Sequence, residues 1–297
     1  MKGKGSGLYH ISISVMRFKT FHILAVLLLV IWSCHDRENY AGDTISGNKV
    51  MILGHMGMGI AFSQPGNSYE SVSTAISIGC DGSEIDVQLT LDSVLVAYHD
   101  KDLSTQTNCK GRIADMTWDE ISSCKYSLAV KPVFLYRVED ILSRFGNMQE
   151  LYFSFDCKTE TSGNSQDAYE YRFLRAIRRF CEKYGMTDQV FIEGQNDFLD
   201  KARQMGLKNR LFLYAALDTD PVGRAKNKYG GIVVPKEIEA SEILKAEEIG
   251  LKVMVYSPGN YSENKAALKR KPDIIQTDDP ITILKLLERF NYENTTP

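Results

Sequence analysis

Short apolar runs alternate with helix-like segments along most of this chain of 297 residues. The first run is 50–53, the last is 273–276, and helical patterns lie between most of the others. Parallel strands require a crossover connection, usually a helix, so this alternation predicts an α/β fold with a parallel sheet. The length and the spacing favour a closed (β/α)8 TIM barrel. An open doubly wound sheet is the alternative, but no glycine-rich phosphate loop follows the first strand.

Nine extended segments are predicted where such a barrel has eight strands. The link at 90–93 is too short for a crossover helix, so one segment beside it is expected to lie outside the barrel. Residues 111–130 form a longer, less periodic insertion, which either shapes the substrate mouth or is a surface loop held by a disulfide. The nine segments are 50–53, 84–89, 94–98, 151–155, 190–192, 211–214, 231–234, 252–256 and 273–276.

The N-terminal segment has the features of a bacterial export signal. Residues 23–32 form an unbroken apolar run, preceded by Arg17 and Lys19. Such a run is too short to span a bilayer but suits the core of a signal peptide. The sequence Ile-Trp-Ser-Cys that follows resembles a lipoprotein cleavage box, with Cys34 as the lipidated residue. A buried helix is the alternative interpretation, and Met16 is an alternative start.

These features predict a protein that is exported and lipid-anchored to the bacterial cell envelope. The formal net charge is −3 and no basic block occurs, so no nucleic acid is expected as a partner. No protein partner is predicted either. The predicted parts are a lipoprotein-type signal peptide at 1–33, a tether at 34–48 and a barrel domain at 49–297.

The five cysteines beyond Cys34 do not have the spacing of a zinc site. Export permits disulfides, and Cys109 and Cys124 flank a loop-like stretch, so they are the expected pair. Cys157 alternates with its polar neighbours along a predicted strand. It is therefore expected to face the packing layer rather than the site.

Glu84 and Asp86 stand two residues apart in a predicted strand. This spacing places both carboxylates on one face of the strand. Adjacent carboxylates repel unless a cation neutralises them or one of them takes up a proton. Mg²⁺ or Ca²⁺ is the cation that suits such oxygen ligands. An acid pair at a strand end is often simply solvated, so the pair does not establish a site by itself.

More polar residues fall at or near the ends of predicted strands. Asp156 would complete a three-carboxylate ligand set, with the ammonium of Lys158 on the same face. His55 and His99 each end a strand, although a lone strand histidine is more often structural than catalytic. The carboxyl ends of barrel strands converge, so we expect one site. Its residues would be His55, Glu84, Asp86, His99, Asp156 and Lys158.

The ordered motifs resemble those of the glycerophosphodiester phosphodiesterase family, which has a phospholipase C-like phosphodiesterase barrel. That family has His-Arg-Gly after its first strand, then Pro-Glu-Asn-Thr, Glu-x-Asp-Val-x-x-Thr-x-Asp, His-Asp, Glu-x-Lys and Thr-Asp-x-Pro. The resemblance covers about residues 50–287, and the ordered set is specific although each piece alone is weak. The matching residues are His55, Gly57, Pro65, Asn67, Glu84, Ile85, Asp86, Val87, Thr90, Asp92, His99, Asp100, Asp156, Lys158, Thr277, Asp278 and Pro280.

The resemblance implies a metal-dependent phosphodiesterase that cleaves glycerophosphodiesters to glycerol phosphate and an alcohol. Its partners would be a small-molecule phosphodiester and, through the lipid anchor, a membrane. One Mg²⁺ or Ca²⁺ ion and two histidines would supply the chemistry. The residues assigned are Glu84, Asp86 and Asp156 for the metal, His55 and His99 for acid–base catalysis, and Lys158 and Tyr256 for substrate and phosphate.

Two departures from the family pattern leave the substrate open. Met56 replaces the family arginine and Gly66 replaces the family glutamate, and these two could have neutralised one another. Their joint loss removes a cation that could hold phosphate. Asp156 is also one methylene shorter than the family glutamate. The alternatives are a phosphodiesterase of the same fold with a different phosphodiester, or a cell-surface binding protein that has lost activity.

Two further residues are weaker candidates. Glu193 ends a predicted strand and either reaches the site or is a solvated loop acid. Asn67 either belongs to the site or only holds a loop.

Overall fold

The computed structural model describes residues 42–60, 63–129, 131–160, 165–215 and 219–293, all of which belong to one compact unit, Tyr40–Pro297. The predicted signal peptide, Cys34 and the predicted tether as far as residue 41 lie outside the described residues. No helix within these ranges is both long enough and apolar enough to cross a membrane.

Eight parallel strands form a closed barrel, as predicted. The first barrel strand pairs with the last one, in the register Met51 to Ile274, and with the second, in the register Leu53 to Gly82, which closes the sheet. The ten strands of the described residues are β1 Met51–Gly54, β2 Gly82–Leu89, β3 Leu95–Ala97, β4 Tyr136–Arg137, β5 Tyr152–Cys157, β6 Val190–Gly194, β7 Arg210–Tyr214, β8 Gly231–Pro235, β9 Lys252–Tyr256 and β10 Ile274–Thr277. The barrel order is β1, β2, β5, β6, β7, β8, β9, β10.

The strand expected outside the barrel is β3. It runs antiparallel to the end of β2, with Leu89 opposite Leu95, after a tight turn in which Ser93 has φ 66°. The two-residue strand β4 continues this side sheet by pairing with β3. Strand β4 was not predicted, because two residues are too few for a periodic pattern.

Helices follow most barrel strands and cover the outer face. Helix α1 begins after Ser68, whose hydroxyl accepts a hydrogen bond from the backbone N–H of Ser71. The longest helix ends at Gly185, which has the left-handed φ of 65° common at such ends. The helices are α1 Tyr69–Ser77, α2 Trp118–Ile121, α3 Val138–Leu142, α4 Gln166–Tyr184, α5 Asn196–Gln204, α6 Pro221–Ala225, α7 Ala240–Glu248, α8 Tyr261–Arg270 and α9 Pro280–Leu286.

The period of two along each strand separates two buried layers. Outward-facing residues of the strands pack against the helices in the main core, and Cys157 is among them, as predicted. Inward-facing residues such as Phe191 and Phe212 fill the barrel interior. Glu84 and Asp86 also point inward and are 1% exposed, so their carboxylates lie inside the barrel and not in solvent.

The described end of the predicted tether is folded against the barrel domain. Asp43 forms a bridge with Lys49, and the backbone N–H of Thr44 donates to the carbonyl of Asn48. Ile45 packs against the main core. The turn was not predicted, because the segment is polar and a single apolar side chain, that of Ile45, packs against the core.

Candidate active site

Strand register brings the three predicted acids together. In β2, Glu84 and Asp86 share the inner face, and Asp86 stands opposite Asp156 of β5. One carboxylate oxygen from each of the three residues lies within 4.8 Å of the others. The arrangement has the hard oxygen ligands and the spacing that one divalent cation requires.

The hydrogen bonds of the Glu84 carboxylate indicate whether a cation fits this cluster. Its Oε2 accepts a hydrogen bond of 2.8 Å from the backbone N–H of Met56, but its Oε1 is buried and has no hydrogen-bond partner among the described residues. A buried carboxylate oxygen without a partner is costly. Burial, reinforced by the neighbouring charge of Asp86, raises the pKa of Glu84 well above its usual value. A cation bound here would satisfy the unpaired oxygen and keep Glu84 ionised.

Lys158 partly neutralises the other two acids. Its Nζ lies 2.9 Å from Asp86 Oδ1 and 2.6 Å from Asp156 Oδ2. Burial opposes ionisation of Asp86, but the charges of Lys158, His99 and His55 together with the Asn67 hydrogen bond outweigh it, and the pKa of Asp86 falls below its usual value. Burial dominates at Asp156 and raises the pKa of that carboxyl. Without a metal ion, the cluster therefore contains one ammonium for three carboxyl groups.

Asn67 fixes the orientation of Asp86. Its Nδ2 donates to Asp86 Oδ2 at 2.7 Å, and its Oδ1 accepts from the backbone N–H of Asp86 at 2.9 Å. Asn67 adopts a left-handed φ of 62°, which asparagine tolerates better than most residues. Asn67 thus holds a predicted metal ligand in addition to its loop.

His55 lies against the Glu84 side of the acid cluster. Its Nδ1 is 2.8 Å from Asp278 Oδ1, and its Nε2 is 3.8 Å from Glu84 Oε2. Burial lowers the pKa of His55, but the hydrogen bond with Asp278 and the charge of Glu84 outweigh it and raise this pKa to about 9. Sequence reasoning had placed Asp278 in a motif without a role. The position of Asp278 directly after the last strand, which lies beside β1, could have indicated this contact.

His99 follows β3 and so comes from the side sheet rather than from a barrel strand. The antiparallel course of β3 returns the chain to the level of Asp86, whose carbonyl accepts from the Tyr98 N–H at 3.0 Å. The Nδ1 of His99 lies 2.8 Å from Asp100 Oδ1, and the side chain is 47% exposed. Gln88 holds this segment by donating to the carbonyls of Tyr98 and Asp100.

A cavity of about 440 Å³ opens beside the acid cluster. His99, Asp156 and Lys158 contribute to its wall, whereas His55 is not part of the lining. His55 thus lies next to Glu84, whereas His99 lies in the cavity wall with Asp156 and Lys158. The lining residues are Gln88, His99, Asp100, Lys101, Arg112, Asp156, Cys157, Lys158, Thr159, Glu160, Gly194, Gln195 and Tyr214.

Tyr256 does not line this cavity but contacts a residue that does. Its hydroxyl lies 2.9 Å from that of Tyr214, and the two ring centroids are 5.4 Å apart. Tyr214 lines the cavity, so Tyr256 supports the wall through Tyr214. Sequence reasoning missed Tyr214, although it ends β7 as Tyr256 ends β9.

Glu193 is a buried acid of the barrel interior, so its interpretation as a solvated loop acid is wrong. It is 2% exposed and stands opposite Asp156 in the β5–β6 register. Ser154 and Gln276 both donate to its Oε1. Burial, with the nearby charge of Asp156, raises the pKa of Glu193 to about 8.

The two departures from the family pattern contact each other. A Cβ atom built on Gly66 would lie 3.0 Å from Met56 Cβ and 3.3 Å from Met56 Sδ. Met56 is 8% exposed, so its side chain packs where a longer residue at position 66 would begin. Substitutions at these two positions are therefore expected to depend on each other.

The insertion after His99 matches both predicted descriptions. Cys109 and Cys124 form the predicted disulfide, with their Cα atoms 5.6 Å apart. Ile113 and Ile121 belong to a small second core that the insertion shares with Val96 of β3. Arg112 from the same segment lines the cavity, so the insertion is both pinned by a disulfide and part of the mouth.

Comparisons with known proteins agree with this geometry. A family model, that of the glycerophosphoryl diester phosphodiesterase family, matches residues 55–282. A glycerophosphodiester phosphodiesterase of Caldanaerobacter subterraneus subsp. tengcongensis is 23% identical over 251 residues, which cover 81% of this chain and 99% of that protein.

Solved structures share the fold. A glycerophosphodiester phosphodiesterase from Agrobacterium tumefaciens superposes with a TM-score of 0.65 at 19% identity, covering 79% of this chain and 99% of that one. An Oleispira antarctica phosphodiesterase, solved in complex with the product sn-glycerol-3-phosphate, gives a TM-score of 0.67 at 17% identity, covering 80% of this chain and 96% of that one.

The region matched by the family model covers more than half of the chain and runs through the candidate site from His55 to Asp278. The chain therefore belongs to the glycerophosphoryl diester phosphodiesterase family, and it is an enzyme of the phosphoric diester hydrolase class.

Proposed function

We propose that this enzyme hydrolyses glycerophosphodiesters to glycerol phosphate and an alcohol, with one divalent cation and two histidines. The observation that carries the proposal is the unpaired Oε1 of Glu84, buried within a cluster of three carboxylates. Glu84, Asp86 and Asp156 would hold Mg²⁺ or Ca²⁺. When bound, such an ion neutralises charge on the phosphodiester oxygens.

The two histidines are arranged for proton transfer. Each has its Nδ1 against an aspartate, Asp278 for His55 and Asp100 for His99, so each Nε2 remains for the substrate. One imidazole would remove the proton of the nucleophile, and the other would protonate the leaving alkoxide. With His55 next to Glu84 and His99 in the cavity wall, the two imidazoles would serve the two ends of a scissile phosphodiester. Lys158 would add a point charge next to the phosphate.

A release assay on a panel of phosphodiesters tests this function. Purified protein is incubated with several glycerophosphodiesters and with diesters that lack glycerol, with and without EDTA. The proposal predicts glycerol phosphate release that EDTA abolishes. Release only from diesters without glycerol would favour the different substrate that Met56 and Gly66 leave open. Tight binding without hydrolysis by the metal-loaded protein would favour a binding protein.

We also propose that the enzyme is exported and anchored through a lipid on Cys34. The apolar run at 23–32 and the cleavage box before Cys34 support this location. The Cys109–Cys124 disulfide suits the oxidising compartment that export would provide. The variant Cys34→Ala should lose lipoprotein processing. An unchanged mature mass and unchanged detergent partitioning of this variant would contradict the proposal.

A further inference from the structure

Arg112 is a cation of the candidate active-site cavity, and no acid of the described ranges pairs with it. Lys158 is bound by Asp86 and Asp156, and Lys101 lies 2.7 Å from Glu160. Across the described part of the chain, the Arg112 guanidinium forms no ion pair and donates no hydrogen bond, although the side chain is half-buried and lines the cavity. A guanidinium placed in this way has its donors available for a ligand.

Asp102 lies near enough to be influenced by the charge of Arg112. Hydrogen bonds from Ser104 are the main reason why the pKa of Asp102 is lowered, and the charge of Arg112 adds to them. The Asp102 Oδ1 accepts from both the backbone N–H and the hydroxyl of Ser104, at 2.9 and 2.6 Å. Asp102 is thus engaged locally and leaves the Arg112 donors unused.

The backbone of Arg112 is held firmly in place. The carbonyl of Gly111 accepts from the Leu103 N–H at 2.9 Å, and the carbonyl of Arg112 accepts from the Asp115 N–H at 3.1 Å. Ile113 and Ala114, which follow, are 1% and 2% exposed. The Cys109–Cys124 disulfide encloses this segment. Binding through Arg112 would therefore require ordering of its side chain alone, which keeps the entropic cost low.

The charges of the proposed site leave the negative charge of a bound phosphodiester for a further cation such as Arg112. The three carboxylates of the cluster are offset by Lys158 and one divalent ion, so a bound phosphodiester brings a negative charge that these groups do not balance. The family arginine next to the first histidine is replaced by Met56, which is apolar. A guanidinium binds two phosphate oxygens at once, which an ammonium does not.

We propose that Arg112 binds the nonbridging oxygens of the phosphodiester from the insertion side of the cavity. This inference rests on the proposed function and names the residue that replaces the missing arginine charge. Arg112 and His99 both line the cavity, whereas Met56 does not. Arg112 would therefore hold the phosphate from the side of His99, and not from the position of the family arginine.

Equilibrium binding of sn-glycerol 3-phosphate and of inorganic phosphate to the metal-loaded protein tests the proposal. Loss of a charge-assisted hydrogen-bonded pair should weaken both ligands about 10- to 100-fold in Arg112→Met. Arg112→Lys should recover part of the affinity, since it keeps the charge but not the fork. The matched control is Lys110→Met, which removes the same charge from an exposed position two residues away and should bind as the parent does.

Equal binding by the parent and Arg112→Met would overturn the proposal. So would an equal loss in Lys110→Met, which would show that only the net charge of the loop matters. The metal affinity and Tm of Arg112→Met should match those of the parent, which excludes misfolding. If the parent hydrolyses no phosphodiester, the proposed function fails, whereas the phosphate-binding series still decides the role of Arg112.

Discussion

The Nδ1 of His55 and the Oδ1 of Asp278 lie 2.8 Å apart, although 223 positions separate the two residues in the chain. The contact forms where the first and last barrel strands pair, with Gly54 opposite Thr277. Closure of the barrel therefore determines that the Nδ1 of His55 is engaged by Asp278, while its Nε2 lies towards Glu84. In the proposed function Asp278 would be a positioning residue for His55, and its carboxylate favours the protonated form of the ring.

The first prediction concerns this pair. In Asp278→Asn, His55 loses the carboxylate next to its Nδ1 that counteracts the effect of burial. The pKa of His55 should therefore fall from about 9 towards 6.5. An NMR titration of the histidine ring in metal-free protein measures this shift. Asp100→Asn, which alters the partner of His99, should leave the pKa of His55 near 9. An unchanged His55 pKa in Asp278→Asn would show that the contact is not formed in solution.

The second prediction concerns the two proposed acid–base groups. His55→Ala and His99→Ala should each lower turnover by about 10²–10⁴-fold, the usual effect of removing a general acid or base. Affinity for sn-glycerol 3-phosphate should change much less, because metal and Lys158 remain. The pH–rate profile of the parent should be bell-shaped, and each variant should lose one limb. Similar losses in binding and turnover would instead assign the histidines to substrate binding.

The third prediction concerns Met56 and Gly66. Met56→Arg alone should improve glycerophosphodiester turnover little, because it adds an unpaired cation next to His55 and opposes protonation of that ring. Gly66→Glu alone should cost about 1–3 kcal/mol of stability, because its Cβ would meet Met56 at 3.0 Å. The double variant should be better than either single one in a double-mutant cycle of kcat/KM and Tm. Additive effects would show that the two positions are independent.

The fourth prediction concerns the buried carboxyl of Glu193. Its pKa is about 8 in the folded protein against 4.5 for an ordinary glutamate, so the folded state keeps its proton while the unfolded state loses it. The contribution of Glu193 to stability is therefore greatest below pH 4.5 and declines by up to about 1.4 kcal/mol per pH unit as the pH rises towards 8. Glu193→Gln removes this decline.

Thermal unfolding in EDTA measures this effect. Between pH 5 and pH 8, the Tm of the parent should fall relative to that of Glu193→Gln by roughly 7 °C or more. Glu248→Gln, which changes an exposed carboxyl at the end of α7, should follow the parent. Parallel Tm curves for parent and Glu193→Gln would mean that Glu193 is ionised in the folded protein.

Much of the fold could be predicted because the barrel repeats one pattern. The period of two along β2 and β5 placed Glu84, Asp86 and Asp156 on one face, and the same period placed Cys157 on the other. The tight turn before β3 showed that one strand could not belong to the barrel. Local spacing was enough for each of these statements.

The remainder depends on contacts between distant segments. The pairing of His55 with Asp278 needs the closed barrel, and the position of Arg112 in the cavity needs the fold of a non-periodic insertion. Glu193 is different, since its alternation with Phe191 on the inner face was available in the sequence. Its burial was missed because a charged strand end is usually solvated.

Metal titration of turnover tests the central claim most directly. Protein stripped with EDTA is supplied with increasing Mg²⁺ or Ca²⁺, while metal binding and glycerol phosphate release are followed together. We predict no turnover without metal, full turnover when one ion is bound per chain, and neither binding nor turnover in Asp86→Ala despite a folded barrel. Undiminished turnover by the stripped parent, or normal metal-dependent turnover by Asp86→Ala, would contradict the assignment of Glu84, Asp86 and Asp156 as the metal site.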